Sequence, residues 1–300
     1  MLRTLFAITL ATALLPAQTT ETVGGTNAMV AGSNRGKASL YAVDQTVVLT
    51  EFEVFLDVPP NETLTFFAHR HHSRTGTATL AWSLPVTVAG GGGPLWWSTG
   101  PIAMPLVAGN YYTLGVSWAG VVTYFYSTAS TGAPVSFGSW QRAHTTSNPP
   151  PTTLVLPAGV DVAQYHQRLT TIATPAVVDV GTGCNPAGLA PRLVATGLFR
   201  LNSSEGLELV DAAANSVAVH ALANGGALAA PLPLFGCSLW LDVFGGYVTL
   251  PALTSAAGYH RLTIPIPNNA GLVGAGFAGQ SVVLGPTTTV TNAVAFTIVP

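Results

Sequence analysis

The stretch Leu49–His72 reads LTEFEVFLDVPPNETLTFFAHRHH and decides the fold class. In its first arm, apolar residues alternate with polar ones such as Glu51 and Glu53, which is the period of two expected of a β-strand with one buried face. Two prolines then interrupt the pattern. Alternation resumes from Leu64 in a second arm. The stretch therefore predicts a β-hairpin with one apolar face.

The alternation also predicts a register for this hairpin. If both apolar faces lie on one side, Val58 pairs with Leu64, and two carboxylates then face two imidazoles across the strands. Such a set could hold a divalent metal, because these are ordinary metal ligands. The metal candidates are Glu51, Glu53, His69 and His71. Cross-strand pairing on an exposed face is the favoured interpretation of the same residues, and no cofactor is predicted.

The composition extends the β prediction to the whole chain. Of the 300 residues, 48% are hydrophobic and only 7% are charged, with 32 glycines and 22 prolines. Such a chain favours many short strands joined by turns. The formal net charge is −2, and the sole lysine is Lys37. Nucleic-acid binding and polybasic membrane attachment both need clustered basic residues, so neither is predicted.

The N-terminal residues Met1–Ala17 resemble a secretory signal peptide. Arg3 provides the positive start, Leu5–Leu15 the apolar stretch, and Ala17 the expected cleavage end. The apolar stretch is too short to span a bilayer. Later stretches also lack the length of apolar sequence for a membrane helix. We therefore expect a cleaved signal peptide and a mature protein, without a membrane span, that is secreted or held at the cell surface.

Strand patterns separated by turn residues recur through two regions. Residues 22–172 predict a jelly-roll-like β-sandwich, residues 173–183 a linker of small residues, and residues 184–300 a second β-sandwich. The predicted fold class is therefore all-β, with two sandwich domains after the signal peptide.

The chain contains two cysteines, Cys184 and Cys237, and both lie in the second region. In an exported protein, two cysteines in one module predict a disulfide. A zinc site is the alternative, but two thiolates without further ligands nearby do not complete a four-ligand shell.

Three motifs carry a resemblance in this second region. They are GTGC at Gly181–Cys184, GCSLWLD at Gly236–Asp242 and LTIPIPNN at Leu262–Asn269. Together they resemble a recurrent C-terminal β-module of exported bacterial proteins, covering about Pro175–Pro300. The resemblance implies an extracellular accessory, attachment or sorting role and carries no catalytic assignment.

The adjacent tryptophans Trp96 and Trp97 are the ligand-binding candidates. Neighbouring strand residues point to opposite faces, so one indole is expected to be accessible. Accessible aromatic faces beside polar groups suit sugar rings. Carbohydrate binding, with a polysaccharide as partner, is therefore an alternative function, against packing in the core as the plainer interpretation.

Enzyme patterns fit the sequence poorly. His69 and His71 have the His-x-His spacing of a cupin, but no carboxylate follows within Ser73–Leu84. The paired-carboxylate spacing of laminarinase-like jelly rolls and the nucleophile elbow of serine hydrolases are also missing. The sequence thus favours a non-enzymatic extracellular protein with a structural, adhesive or scaffold role, with other surface proteins as partners. A metal-dependent or glycoside-cleaving enzyme ranks last.

Overall fold

A computed structural model describes residues 18–159, 161–185 and 188–300. The predicted signal peptide, Met1–Ala17, lies outside the described residues. The regular structure of the described part consists of strands and one short 3-10 helix, Ala270–Leu272. The all-β prediction is therefore confirmed. Among the described residues, no helix combines the length and the apolar character needed to cross a membrane.

We call residues 18–173 the N-terminal half and residues 174–300 the C-terminal half. The strands of the N-terminal half are β1 (Gln18–Val23), β2 (Ala28–Gly32), β3 (Arg35–Val43), β4 (Val47–Asp57), β5 (Thr63–His71), β6 (Gly76–Thr87), β7 (Pro94–Ser98), β8 (Met104–Leu106), β9 (Tyr111–Trp118), β10 (Val122–Thr128), β11 (Ala133–Val135), β12 (Gly138–Ser147), β13 (Thr153–Leu156), β14 (Ala163–Tyr165) and β15 (Gln167–Ala173). The strands of the C-terminal half are β16 (Val177–Val180), β17 (Arg192–Ala195), β18 (Ser203–Val210), β19 (Val217–Asn224), β20 (Ala227–Leu234), β21 (Cys237–Leu241), β22 (Tyr247–Leu253), β23 (His260–Ile266), β24 (Gly276–Leu284), β25 (Thr289–Val290) and β26 (Ala293–Thr297).

Two sheets pack face to face in the N-terminal half. The first has eight strands and contains the path β1-β15-β4-β10-β14, with β2, β7 and β8 paired beside it. The second has seven strands in the order β11-β12-β3-β9-β5-β6-β13. Their inner faces share one apolar core, in which the rings of Phe52 and Phe66 lie 5.5 Å apart. This arrangement is sandwich-like, as the strand patterns predicted.

The predicted hairpin between β4 and β5 is wrong. β4 pairs with β15, β10, β7 and β8 in the first sheet, whereas β5 pairs with β6 and β9 in the second. The chain crosses the core between them. As a result, Glu53 and His69 lie on opposite outer faces of the sandwich.

The apolar alternation of β4 and β5 fits both a hairpin and a crossing from one sheet to the other. In a hairpin the two apolar faces would lie side by side, and here they face each other across the core. Pro59 and Pro60 have no N–H to extend a ladder. The turn at Asn61, where φ is 62°, is held instead by the segment that follows β6, because the Asn61 N–H donates to the Ala89 carbonyl. These local features turn the chain away from β4.

The C-terminal half has a second apolar core. A six-stranded sheet containing the path β16-β26-β24-β19-β22 packs against the three-stranded sheet β17-β18-β23. A separate hairpin, β20-β21, packs alanine and leucine side chains on the outside of the larger sheet. Within the predicted linker, residues 173–183, the segment Val177–Val180 forms β16 and pairs with β26, and Val177 is buried in this core.

The predicted disulfide between Cys184 and Cys237 is confirmed. Cys184 also forms a backbone bridge with Val290, and Cys237 begins β21. The bond therefore fastens the outer hairpin to the segment that enters the C-terminal half.

Candidate functional site

Trp96, one of the predicted ligand-binding residues, lies on the outer face of the first sheet within a group of contacting aromatic rings. In β4, Glu53 and Phe55 point outward, because their neighbours Phe52 and Val54 fill the core. β7 pairs with β4 so that Ser98 lies opposite Glu53 and Trp96 opposite Phe55.

We call the residues gathered on this face the Trp96 cluster. Its members are Glu53, Phe55, Trp96, Phe125, His166 and Arg168. The Phe55 ring centroid lies 5.3 Å from Trp96 and 5.2 Å from Phe125. The His166 ring lies 4.7 Å from Trp96. The cluster is thus an aromatic platform set on the sheet.

A charged pair borders the platform. Arg168 Nη1 donates to Glu53 Oε2 at 3.0 Å, and the Arg168 guanidinium carbon lies 4.2 Å from the Trp96 ring centroid. One contact surface of the half-buried indole is therefore already used by a cation. Any ligand stacking on Trp96 would have to use the remaining surface or displace Arg168.

Trp97 points the other way. It packs partly against the core of the N-terminal half, and its indole N–H donates to the Leu56 carbonyl at 3.1 Å. The structure therefore separates the two tryptophan candidates. Trp96 belongs to the outer face, and Trp97 is a satisfied structural residue.

The four metal candidates are not brought together. Glu51 accepts a hydrogen bond from Ser98 Oγ at 2.6 Å, and Glu53 is paired with Arg168. His69 is fully buried, with Nε2 2.7 Å from the Pro151 carbonyl. The pKa of His69 is lowered by burial, which outweighs the opposing effect of that carbonyl.

His71 completes the set, and its Nδ1 accepts the Ser73 backbone N–H at 3.0 Å. Among the residues that the structure describes, no three His, Cys, Asp or Glu side chains form a group able to hold a metal ion.

A second concentration of polar groups joins the two halves, and we call it the joint. At its centre Arg70 of β5 makes two parallel hydrogen bonds to Glu208 of β18, each 3.0 Å long. Only 5% of the Glu208 side chain and 17% of the Arg70 side chain are exposed. Tyr259 Oη adds a hydrogen bond to Glu208 Oε1 at 3.1 Å. Charge, geometry and burial together make this a strong pair.

The hydrogen bonds and charge of Arg70 set the ionisation of Glu208. Burial alone would raise the pKa of this carboxyl, but Arg70 and the Tyr259 hydroxyl outweigh it and hold the pKa below its usual range. Glu208 is therefore an anion at neutral pH. Conversely, burial and the Glu208 charge raise the pKa of Tyr259 to about 12.

Backbone contacts extend the joint on both sides of this pair. Buried Asn110 accepts from Arg70 Nη1 at 2.9 Å and donates through Nδ2 to the Ala195 carbonyl at 3.0 Å. Arg192 Nη2 donates to the His72 carbonyl at 2.7 Å, and Thr46 Oγ1 donates to the Val177 carbonyl at 2.7 Å.

Apolar packing also crosses the joint. Val107, from the N-terminal half, is fully buried within the core of the C-terminal half, and Val48 packs against the same core. The halves therefore share apolar surface as well as hydrogen bonds.

Sequence reasoning missed the residues of the joint. In the sequence, Arg70 stands out only as the middle residue of the His-x-His spacing, and Glu208 belongs to no motif. A signal was nevertheless present: Glu208 stands between Leu207 and Leu209 in a strand pattern of a chain with only 7% charged residues. A carboxylate at such a position must find a cation when the strand is buried.

Comparisons with known proteins give no family. No family model and no curated protein matches the chain. Among solved structures, a β-glucuronidase from Parabacteroides merdae, with glycerol in its active site, matches with a TM-score of 0.21 and 9% sequence identity. The match covers 83% of this chain, which spans only 28% of that enzyme. A TM-score this low supports neither a fold nor a function assignment.

Proposed function

We propose that this chain is a non-enzymatic extracellular or cell-surface protein with a structural scaffold role. The observation that carries the proposal is the joint. A scaffold has to hold its parts at a fixed orientation. Contacts between domains that merely share a chain are usually modest and permit relative motion. Here a buried, doubly hydrogen-bonded ion pair and a shared apolar core join the halves.

The surface supports contact with neighbouring molecules. Large apolar side chains are exposed at Met29, Val121 and Val155, which are 67%, 65% and 70% accessible. Charged residues form only 7% of the chain. Because net charge and charged surfaces keep proteins apart, a surface of this kind favours association with other surface proteins or polymers.

The proposal includes the finer architecture. Each half is a β-sandwich domain, and the first is jelly-roll-like. The signal peptide directs export of the protein and is then cleaved. The C-terminal half corresponds to the module that the GTGC, GCSLWLD and LTIPIPNN motifs resemble. An attachment or sorting role for that half is consistent with a scaffold.

Fractionation of the cells that encode the chain tests this function. The mature protein is expected in the extracellular or envelope fraction. In a separate sedimentation assay, the purified protein is expected to sediment together with purified envelope material. Recovery only in the cytoplasm would contradict the proposal. The proposal would also be contradicted if the purified protein turned over a substrate and a single substitution abolished that activity.

Carbohydrate binding is the second candidate, and the Trp96 cluster favours it. A half-buried indole lies beside Arg168, Glu53 and Ser98, which could donate to or accept from sugar hydroxyls. A glycan array with the mature protein provides the test, with Trp96→Ala as the variant and Val155→Ala, an exposed position on β13, as the control. Saturable binding lost only in Trp96→Ala supports this candidate, and absence of binding contradicts it.

A further inference from the structure

The open side of the C-terminal half contains a cleft that neither the scaffold role nor the Trp96 cluster uses. The larger sheet of this half ends at β22 and the smaller ends at β23, and the cleft lies between these two edge strands. Its volume is about 460 Å³, within the range of small-molecule sites. We call it the edge cleft.

The floor and walls of the edge cleft are apolar. Phe277 and Phe296 form the floor, with stacked rings 5.7 Å apart, and Leu222 lies beside them. Val248 of β22 and Ile264 of β23 form the walls. No carboxylate, ammonium or guanidinium group lines it. Burying a charged ligand group here would therefore be unfavourable, and the complementary ligand is uncharged where it contacts these walls.

Exposure at the mouth shows that the cleft is accessible. Val248 belongs to the inward-facing set of β22, opposite Leu222, yet it is 58% exposed. Phe244 and Tyr247, at the same end, are 84% and 55% exposed. An apolar patch that continues from the surface into a cavity is typical of a binding site.

The edge strands are poorly suited to an added β-strand. Pro251 lies in β22 opposite Val219, and Pro265 lies in β23 opposite Ser204. A proline in a strand has no N–H to donate, so β22 lacks a donor near its middle and β23 lacks one near its C-terminal end. The occupant must enter through apolar contact and not through a backbone ladder.

We propose that the edge cleft binds an uncharged ligand with a hydrocarbon body, of the size of a single medium-length alkyl chain. The apolar lining supplies the driving force through burial of the chain. The side chain of Asn224 and the backbone of Gly245 at the mouth are the polar groups available to a hydroxyl or ester end, whereas the Gly246 carbonyl already accepts the Asn224 backbone N–H at 3.1 Å.

Fluorescence titration of the full mature chain with N-phenylnaphthylamine, a neutral apolar dye, tests the proposal, with decanol as competitor. The variant is Val248→Glu, which places a charge at the mouth without disturbing a buried residue. Leu253→Glu is the matched control: it lies on the same strand, is 67% exposed and belongs to the outward-facing set.

The expected result is saturable binding displaced by decanol, at least tenfold weaker in Val248→Glu and unchanged in Leu253→Glu. Equal binding by all three proteins, equal loss in both variants, or failure to saturate would overturn the proposal. Sedimentation velocity is run in parallel. A dimer that only Val248→Glu dissociates would also overturn it, because a second copy would then be the occupant.

Discussion

Glu208 is the residue whose surroundings explain most about the joint. Its carboxylate is almost fully enclosed and satisfied by Arg70 and Tyr259, with Arg261 at 3.9 Å on its outer side. Enclosing an ion pair gains little when both charges could have stayed in water, but removing one partner leaves the other buried and unpaired. The pair therefore makes the joint intolerant of change at either residue.

We expect Glu208→Gln to lower the free energy of unfolding by about 3 kcal/mol, since Arg70 then keeps its charge without a counter-ion. Urea unfolding followed by tryptophan fluorescence measures the loss. The control is Asp211→Asn, which breaks the pair between Asp211 and Arg192, whose side chains are 31% and 36% exposed. An exposed pair should contribute less than about 1 kcal/mol. Equal losses in the two variants would contradict this account of the joint.

At the scale of single elements, the sequence predicted strands better than it predicted their partners. The sequence pattern predicts strands over Tyr111–Trp118 and His260–Ile266, and the structure has both strands with these bounds. The partner of β4 was predicted wrongly, because alternation assigns each side chain to a face and says nothing about which strand lies alongside. Most of the Trp96 cluster depends on such long-range pairings, so the sequence proposes only two of its members, Trp96 as a ligand-binding candidate and Glu53 as a metal candidate, and does not bring them together.

The crossing of the core between β4 and β5 can be tested with double-mutant cycles. The pair of Glu53→Gln with Arg168→Met should show a coupling energy of about 0.5 kcal/mol, as expected of a partly exposed ion pair. The pair of Glu53→Gln with His69→Gln should show none, because the residues lie on opposite outer faces. Measurable coupling in the second cycle would support the hairpin in place of the crossing.

The disulfide between Cys184 and Cys237 contributes to the stability of the C-terminal half. Cys184 and Cys237 are 53 residues apart in sequence. Closing a loop of this length should stabilise the folded state by roughly 4 kcal/mol through the entropy of the unfolded chain. We expect the double variant Cys184→Ala, Cys237→Ala to lose about this much in urea unfolding. Wild-type protein under reductant is the control, and a loss below about 1 kcal/mol in both would contradict the estimate.

For the whole molecule, the histidines predict sensitivity to acid. Burial is the largest cause of a lowered pKa at each of five of them: His69, His72, His144, His166 and His220. For His72, His144 and His220 the value falls to about 4, with neighbouring cationic groups adding to the effect of burial. The folded chain therefore binds fewer protons than the unfolded chain between about pH 6.5 and pH 4.

This difference in proton binding determines how the free energy of unfolding changes with pH. A histidine with a lowered pKa in the folded state contributes its full stability above about pH 6.5, and that contribution is lost as the pH falls toward 4. We expect the urea midpoint to fall steadily across this window. His220→Gln, which removes one such group, should make the fall shallower. A midpoint that stays constant from pH 7 to pH 4.5 would contradict the burial of these rings.

The fixed orientation of the two halves is the central claim, and a spin-label distance measurement tests it most directly. Both native cysteines are in the disulfide, so labels attach only at introduced sites. Val155→Cys and Leu253→Cys place one label on each half, at positions 70% and 67% exposed. We predict a single narrow distance distribution that broadens when Glu208→Gln is added. A broad distribution in the protein with an intact joint would contradict the scaffold account.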